Sequence, residues 1–262
     1  CYEKGILTKK DTDGLELKWG NTEDAVALIK KMIAREGIGD ILADGSKVAA
    51  RKIGKGAEAC TVHAGGQEPA MHDGRNDPGF NVHYSVEPTP GRHTIGAHLY
   101  YEMFQLWKRV KGLPRPNLLF FKNSKYKINE EKAKASAACS KFMSMANGAG
   151  MCMFGVFIGI KRVPTFDWLN ASTGWNMTPN EYMTIGERIQ TIKQAFNVKH
   201  GIEPKNNFIS ARAQGNPPQR EGANKGRFVD VEKLAADYWK EFGWDSATGK
   251  PREETLQKMG II

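Results

Sequence analysis

The chain has 262 residues, 40% of them hydrophobic, and carries a net charge of +9. That length holds a substantial core, in one large or two ordinary domains, and the composition excludes disorder on a large scale. The basic residues are spread out, with local clusters at 108–111 and 122–127, and no nucleic-acid-binding motif accompanies them, so the charge reads as a solvated surface.

From the start of the chain, residues 2–5 read as the tail of a helix closed by Gly5. Asp11-Thr12-Asp13-Gly14 is turn chemistry, and Asn21-Thr22-Glu23-Asp24 starts a helix with acidic residues in its first turn. Ala25, Val26, Leu28, Ile29, Met32 and Ile33 then fall on one helical face, and Gly37 ends the element. Residues 40–53 repeat the pattern with Ile41, Leu42, Val48, Ala49 and Ile53, which predicts a helical hairpin with an ordinary core face.

Residues 54–91 change character: helical periodicity disappears and Gly, Pro, Asp, Asn and His accumulate. Cys60-Thr61-Val62-His63 reads as a short strand and the rest as a long irregular segment carrying His63, His72, His83 and His93. A long irregular stretch between helices is uncommon unless functional. His72, Asp73 and His83 have metal-ligand chemistry, yet their spacing matches no metal motif.

Helical signals resume over 94–111 and break at Pro114-Arg115-Pro116. An alanine-rich helix over 130–146 then leads into Asn147-Gly148-Ala149-Gly150-Met151-Cys152 and an apolar run to Ile160. Gly148 and Gly150 permit conformations and close approaches that a β-carbon blocks. A cysteine just beyond such a turn suits a buried thiolate ligand to a soft metal centre, and equally a helix corner with an inert buried thiol. A short helix over 166–171 follows. Thr178-Pro179-Asn180-Glu181 is a capping box with proline at the first helical position. Behind it Tyr182, Ile185, Ile189, Ile192 and Phe196 form a stripe running to Gly201, which predicts a long packed core helix. Residues 206–226 are a polar surface loop, and short helices over 231–242 and 253–259 finish a mainly α chain with little strand.

Cys1, Cys60, Cys139 and Cys152 form no CxxC pair, so the chain alone lacks a metal-cluster ligand set, and their scatter reads as reduced, intracellular thiols. No signal peptide is recognised, and the apolar run 151–160 has about half the ~20 residues that a bilayer span needs. A start at Cys1, already mid-pattern, suggests a processed chain or part of a longer protein.

Collinear segments across nearly the whole chain resemble the C-terminal part of the tungsten-containing aldehyde ferredoxin oxidoreductase family. They include Cys1-Tyr2-Glu3-Lys4-Gly5, Trp19-Gly20-Asn21-Thr22-Glu23, residues 34–40, Pro90-Gly91-Arg92-His93, residues 147–152, Gly174-Trp175, residues 185–189 and Asn224-Lys225-Gly226. The resemblance implies a mainly α fold, with 1–92 part of the middle helical domain and 93–262 the C-terminal helical domain. It also implies an absent N-terminal part that seats a tungsten (or molybdenum) bis-pterin. Residues 147–152 match the family's second DxxGL(D/C) motif, so Asn147, Gly150, Met151 and Cys152 are the implied cofactor-binding residues. Cys152 would be the fourth ligand of a 4Fe–4S cluster. Asn147 stands where the family usually has aspartate and Met151 where it has leucine. Asparagine keeps a carbonyl acceptor for a pterin amino group but not the charge, which weakens that hydrogen bond. Asp11-Thr12-Asp13-Gly14-Leu15-Glu16 is not the first motif, because it follows the Tyr-Glu-Lys-Gly segment that the family's first motif precedes.

His93 matches the histidine near the tungsten, implying a catalytic role in hydrogen bonding and proton transfer. Arg75 matches a family Asp-Pro-Arg segment, where a structural ion pair is expected. The implied activity is oxidation of a small aldehyde to a carboxylic acid by a cytoplasmic, oligomeric enzyme with ferredoxin as acceptor, touching neither membrane nor nucleic acid. This chain alone is expected to be inactive. The alternatives are a cofactor-free helical module descended from the family and a relative acting on an acyl-CoA or aromatic ring.

Overall fold

The computed structural model describes residues 1–93, 101, 104–115, 126–152, 154–155 and 161–262. It is mainly α-helical, and among these residues β structure is confined to isolated bridges, such as Ala64 with Ile209 and Trp244 with Pro251. The chain opens on a helix closure, as its glycine predicts. Gly5, at φ 70°, donates to Tyr2 O at 3.0 Å and Ile6 to Cys1 O at 2.9 Å, the paired bonds of a Schellman motif.

Helix α1 (Thr22–Ala34) starts at the predicted cap, with the Asn21 side chain accepting from Asp24 N. Its hairpin partner is two pieces, α2 (Ile38–Leu42) and α3 (Ser46–Ile53), because Gly45 breaks the path at φ 88°. Burial differs from expectation. No residue of α1 is buried; Val26 and Ile29 are exposed and Ile33 is 80% exposed, as is Trp19 just before the helix at 90%. The apolar stripe of a 13-residue helix is wider than five-residue α2 can cover, so α1 supplies no ordinary core face within this chain.

The segment read as irregular contains a helix. Ala57–Cys60 is a 3-10 turn rather than the start of a strand, but Pro78–Val86 forms α4, and all nine of its residues are buried. A helix enclosed on every side has no solvent-facing side, so it shows no amphipathic period. Its start signals are ordinary: Asp77 caps Gly79 N at 2.9 Å and Pro78 takes the first position.

Of the helix expected over 94–111, the described part holds α5 (Leu106–Arg109); 94–100 and 102–103 lie outside the described residues, as do 122–125 of the second basic cluster and 153 and 156–160 of the apolar run. Helix α6 (Glu130–Gly148) follows, then α7 (Thr165–Thr173) and α8 (Pro179–Lys199). The capping box of α8 is complete: Glu181 N donates to Thr178 Oγ1 at 3.3 Å, and Thr178 N to Glu181 Oε2 at 2.7 Å. Two short helices, α9 (Ala211–Gln214) inside the polar loop and α10 (Val231–Lys240), precede α11 (Glu253–Lys258). No described helix is long and apolar enough to cross a membrane.

Two cores meet along α6. Its first half sends Ala133 and Ala137 into a core with Phe80, Tyr84, Leu234 and Trp239. Its second half sends Phe142 and Met143 into another with Leu106, Phe166 and Tyr182. Helix α8 packs along α6, but not by the stripe the sequence suggested. Its buried line is Tyr182, Gly186, Gln190, Thr191 and Gln194, while Ile192 is exposed and Phe196 is 61% exposed. The cause is close backbone approach: a β-carbon on Gly186 would lie 1.8 Å from Lys141 O. Two of the polar side chains flanking that contact find partners internally, Gln194 at Gly249 O (3.0 Å) and Thr191 from Trp244 Nε1 (3.2 Å).

Candidate functional site

The six-residue motif closes α6. Gly150, at φ 75°, donates to Asn147 O at 3.0 Å and Met151 to Ala146 O at 2.9 Å, again the two bonds of a Schellman motif. Asn147 and Gly148 are therefore the last helical residues, and only Gly150 needs glycine's freedom. A β-carbon on Gly148 would make an ordinary 3.4 Å contact with Ile189 Cδ1. Met151 turns back onto the second core, whereas residues 147–150 and Cys152 are exposed.

That outward turn corrects the expectation of a buried thiol at Cys152. Its sulfur borders an apolar groove of about 450 Å³ with Met151, Val163, Thr165, Trp168 and Leu169. The buried cysteine is Cys139, whose thiol is pushed up by burial and by the nearby Glu87 carboxylate. None of the four cysteines forms a disulfide, and no group of three metal-ligating side chains occurs among the described residues. An exposed sulfur without companions fits one corner of a cluster whose other ligands come from elsewhere. Asn147, exposed at the same turn, fits an amide contact to a planar heterocycle.

His93 occupies a different place. It is 9% exposed, with its ring centroid 4.5 Å from that of His72, 5.6 Å from Phe80 and 6.1 Å from Tyr84. Phe80 and Tyr84 are one turn apart on α4, so this helix is the wall against which His93 rests. Burial, then the neighbouring His72 and His83, push His93 down to about 4. Its imidazole is neutral near pH 7 and is equipped to accept a proton or a hydrogen bond. His72 also lines an adjoining groove of about 760 Å³ with Tyr84, Met71, Arg75 and Arg212.

The other face of α4 is polar. His83 Nδ1 lies 3.2 Å from Glu87 Oε1, which also accepts from Tyr238 OH at 3.3 Å and from Ser140 Oγ; Glu87 Oε2 accepts from Gln190 Nε2 at 2.7 Å. Burial would raise the Glu87 carboxyl, but His83, Ser140 and Gln190 outweigh it and hold it below its ordinary value. Sequence reasoning missed Glu87 because a lone glutamate before a proline carries no motif. Arg75 forms the expected ion pair, a bidentate contact to Asp73 (Nε to Oδ1 2.9 Å, Nη2 to Oδ2 2.7 Å). Asn224 of the polar loop joins it at 3.0 Å.

The structure thus brings Asn147, Gly150, Met151 and Cys152 together and holds His93 at a second station, behind the other core. His72, Asp73 and His83 build no metal site: His72 stacks on Phe80, Asp73 holds Arg75 and His83 bonds Glu87.

The family model described as "Aldehyde ferredoxin oxidoreductase, domains 2 & 3" matches residues 1–261. The chain is 30% identical over 261 residues to the tungsten-containing aldehyde ferredoxin oxidoreductase of Pyrococcus furiosus, covering 99% of this chain and 40% of that protein. It is 29% identical to the WOR-like subunit of an aliphatic sulfonate oxidoreductase from the same organism, covering 99% of this chain and 38% of the subunit. In fold it is similar to the active-site complex BamBC of benzoyl coenzyme A reductase, with a TM-score of 0.66 at 21% identity over 99% of this chain and 41% of that one. The chain therefore spans about two fifths of the length of these relatives.

Proposed function

The chain belongs to the aldehyde ferredoxin oxidoreductase family, as its helical C-terminal domains, and from that membership we propose that the whole protein oxidises a small aldehyde with water to a carboxylic acid and passes the electrons to ferredoxin. The observation that carries the reading is Cys152, an exposed soft sulfur set by the Schellman turn beside Asn147. When bound, a tungsten–pterin centre would supply the two-electron oxidation and a 4Fe–4S cluster the single-electron exit. Cys152 would be one cluster ligand, and Asn147 with the backbone of Gly150 and Met151 would orient a pterin. His93, neutral in its aromatic pocket, would hydrogen-bond the substrate oxygen and take up a proton as water adds. The family's division into 1–92 and 93–262 is proposed for this chain, with α4 reaching across it into the core built by α6 and α10.

The remaining cluster ligands and the pterin-seating domain would come from outside this chain, so we expect the 262-residue chain alone to be inactive; stoichiometric iron, tungsten or pterin bound to it would sink that expectation. The test of function is Cys152→Ser in the full-length protein. Loss or alteration of a low-temperature electron paramagnetic resonance cluster signal is expected, and an unchanged spectrum overturns the reading in favour of a cofactor-free module. The sulfonate-oxidoreductase subunit and the benzoyl-CoA reductase neighbour favour a second reading, in which the same residues serve a different substrate. Turnover of a panel of aldehydes, aryl-CoA thioesters and alkyl sulfonates separates the two.

A further inference from the structure

We infer that the buried His83–Glu87 pair is a positioning device for His93: it fixes α4 against three other helices and keeps a standing positive charge on His83 behind the His93 pocket. The inference rests on the proposed role of His93 and adds residues that role does not include.

The geometry begins with the carboxylate. The polar contacts of Glu87 come from four groups that can each donate: His83 on α4, Ser140 on α6, Gln190 on α8 and Tyr238 on α10. An ionised carboxylate accepts from all four at once, whereas a protonated one would have to turn a hydroxyl or the His83 ring into an acceptor and give up one of these bonds. Glu87 and His83 are 1% and 0% exposed, and a carboxylate so enclosed requires a counter-charge. Among the side chains bonded to it, His83 alone can become a cation. Among the described residues, Tyr238 and Cys139 are further titratable groups beside the pair, both pushed up by burial and by Glu87 and therefore neutral. Lys132 is buried on the same face of α6, two turns and about 12 Å before Ser140.

Helix α4 connects this pair to His93. His83 and Glu87 occupy one face at i and i+4, and Phe80 and Tyr84 occupy another at i and i+4, where they wall His93 together with His72. The helix is pinned further by Asn81 Nδ2 to Ala213 O at 3.0 Å and by Ile209 N to Ser85 Oγ at 3.0 Å. A charged His83 opposes a second proton on His93, whose titratable neighbours among the described residues include His72 and Tyr84. His93 is thereby reserved as a base while His83 holds its proton permanently.

Nitrogen-15 shifts of the histidine rings in the full-length protein test this directly. Without any substitution, His83 should show both ring nitrogens protonated at neutral pH; a neutral His83 ring overturns the inference. In Glu87→Gln, His83 should become neutral and the His93 titration midpoint should rise by about half a pH unit or more. The acid limb of turnover should rise with it. A folded Glu87→Gln protein with an unmoved His93 midpoint also overturns the inference. If that variant does not fold, the wild-type ring shifts still decide the protonation of His83, and His83→Gln must raise the same midpoint. The ring-shift readouts need no cluster signal or aldehyde turnover, so failure of the proposed function would be seen separately.

Discussion

Nothing lies within 4 Å of where a β-carbon on Gly150 would sit, so the constraint there is its φ of 75° alone. Gly150→Ala should cost about 1–2 kcal/mol of stability through backbone strain. Gly148→Ala, two residues earlier in helical geometry, should be neutral or gain up to about 1 kcal/mol. Gly186→Ala should cost more than either, since it drives a β-carbon to 1.8 Å from Lys141 O. Urea denaturation of the three variants checks the order, and equal losses at 148 and 150 would refute the assignment of Gly150 as the turn's one obligatory glycine. His93 makes a pH prediction at the same scale. Its folded value near 4 lies below its ordinary 6.5, so between these limits the unfolded chain binds more protons. Its contribution to stability is therefore complete above about 6.5 and is lost as the pH falls towards 4. Thermal denaturation of His93→Gln should show a shallower decline across that window than the parent protein.

Helices α4, α6 and α8 differ in how openly their sequences declare them. Helix α8 carries a full capping box, and Thr178→Ala should lower stability by about 1 kcal/mol, read as a fall in melting temperature. Its register in the fold was not legible. A stripe of large apolar residues ordinarily marks the buried face, but a single glycine that admits a neighbouring backbone rotates the contact towards Gly186, Gln190 and Gln194. Helix α4 was hidden for the opposite reason: it is surrounded, so apolar and polar residues alike are buried and no period survives. Helix α6 was visible almost to its end. The turn after it was legible as glycine chemistry, although the direction in which it points Cys152 was not.

Across the whole molecule, the largest departure from expectation is the bare face of α1. Val26, Ile29 and Ile33 contribute little burial to this chain, so Ile33→Ser should leave its unfolding free energy in urea unchanged to within about 0.5 kcal/mol. A loss of more than about 1 kcal/mol would mean that the stripe packs internally. The two cores, by contrast, share α6, so loss of packing in either is felt by the helix that ends at the turn carrying Cys152.

The sequence by itself determined the helical class, the caps that start α1 and α8, the glycine closures and, through collinear motifs, the family. These are local: each depends on a few adjacent residues and on backbone rules that need no partner. Tertiary structure alone decided which faces are buried, that Cys152 points outward while Cys139 is enclosed, and that Glu87 gathers donors from four helices. Those outcomes depend on contacts between residues as far apart as Glu87 and Tyr238, which no local pattern records.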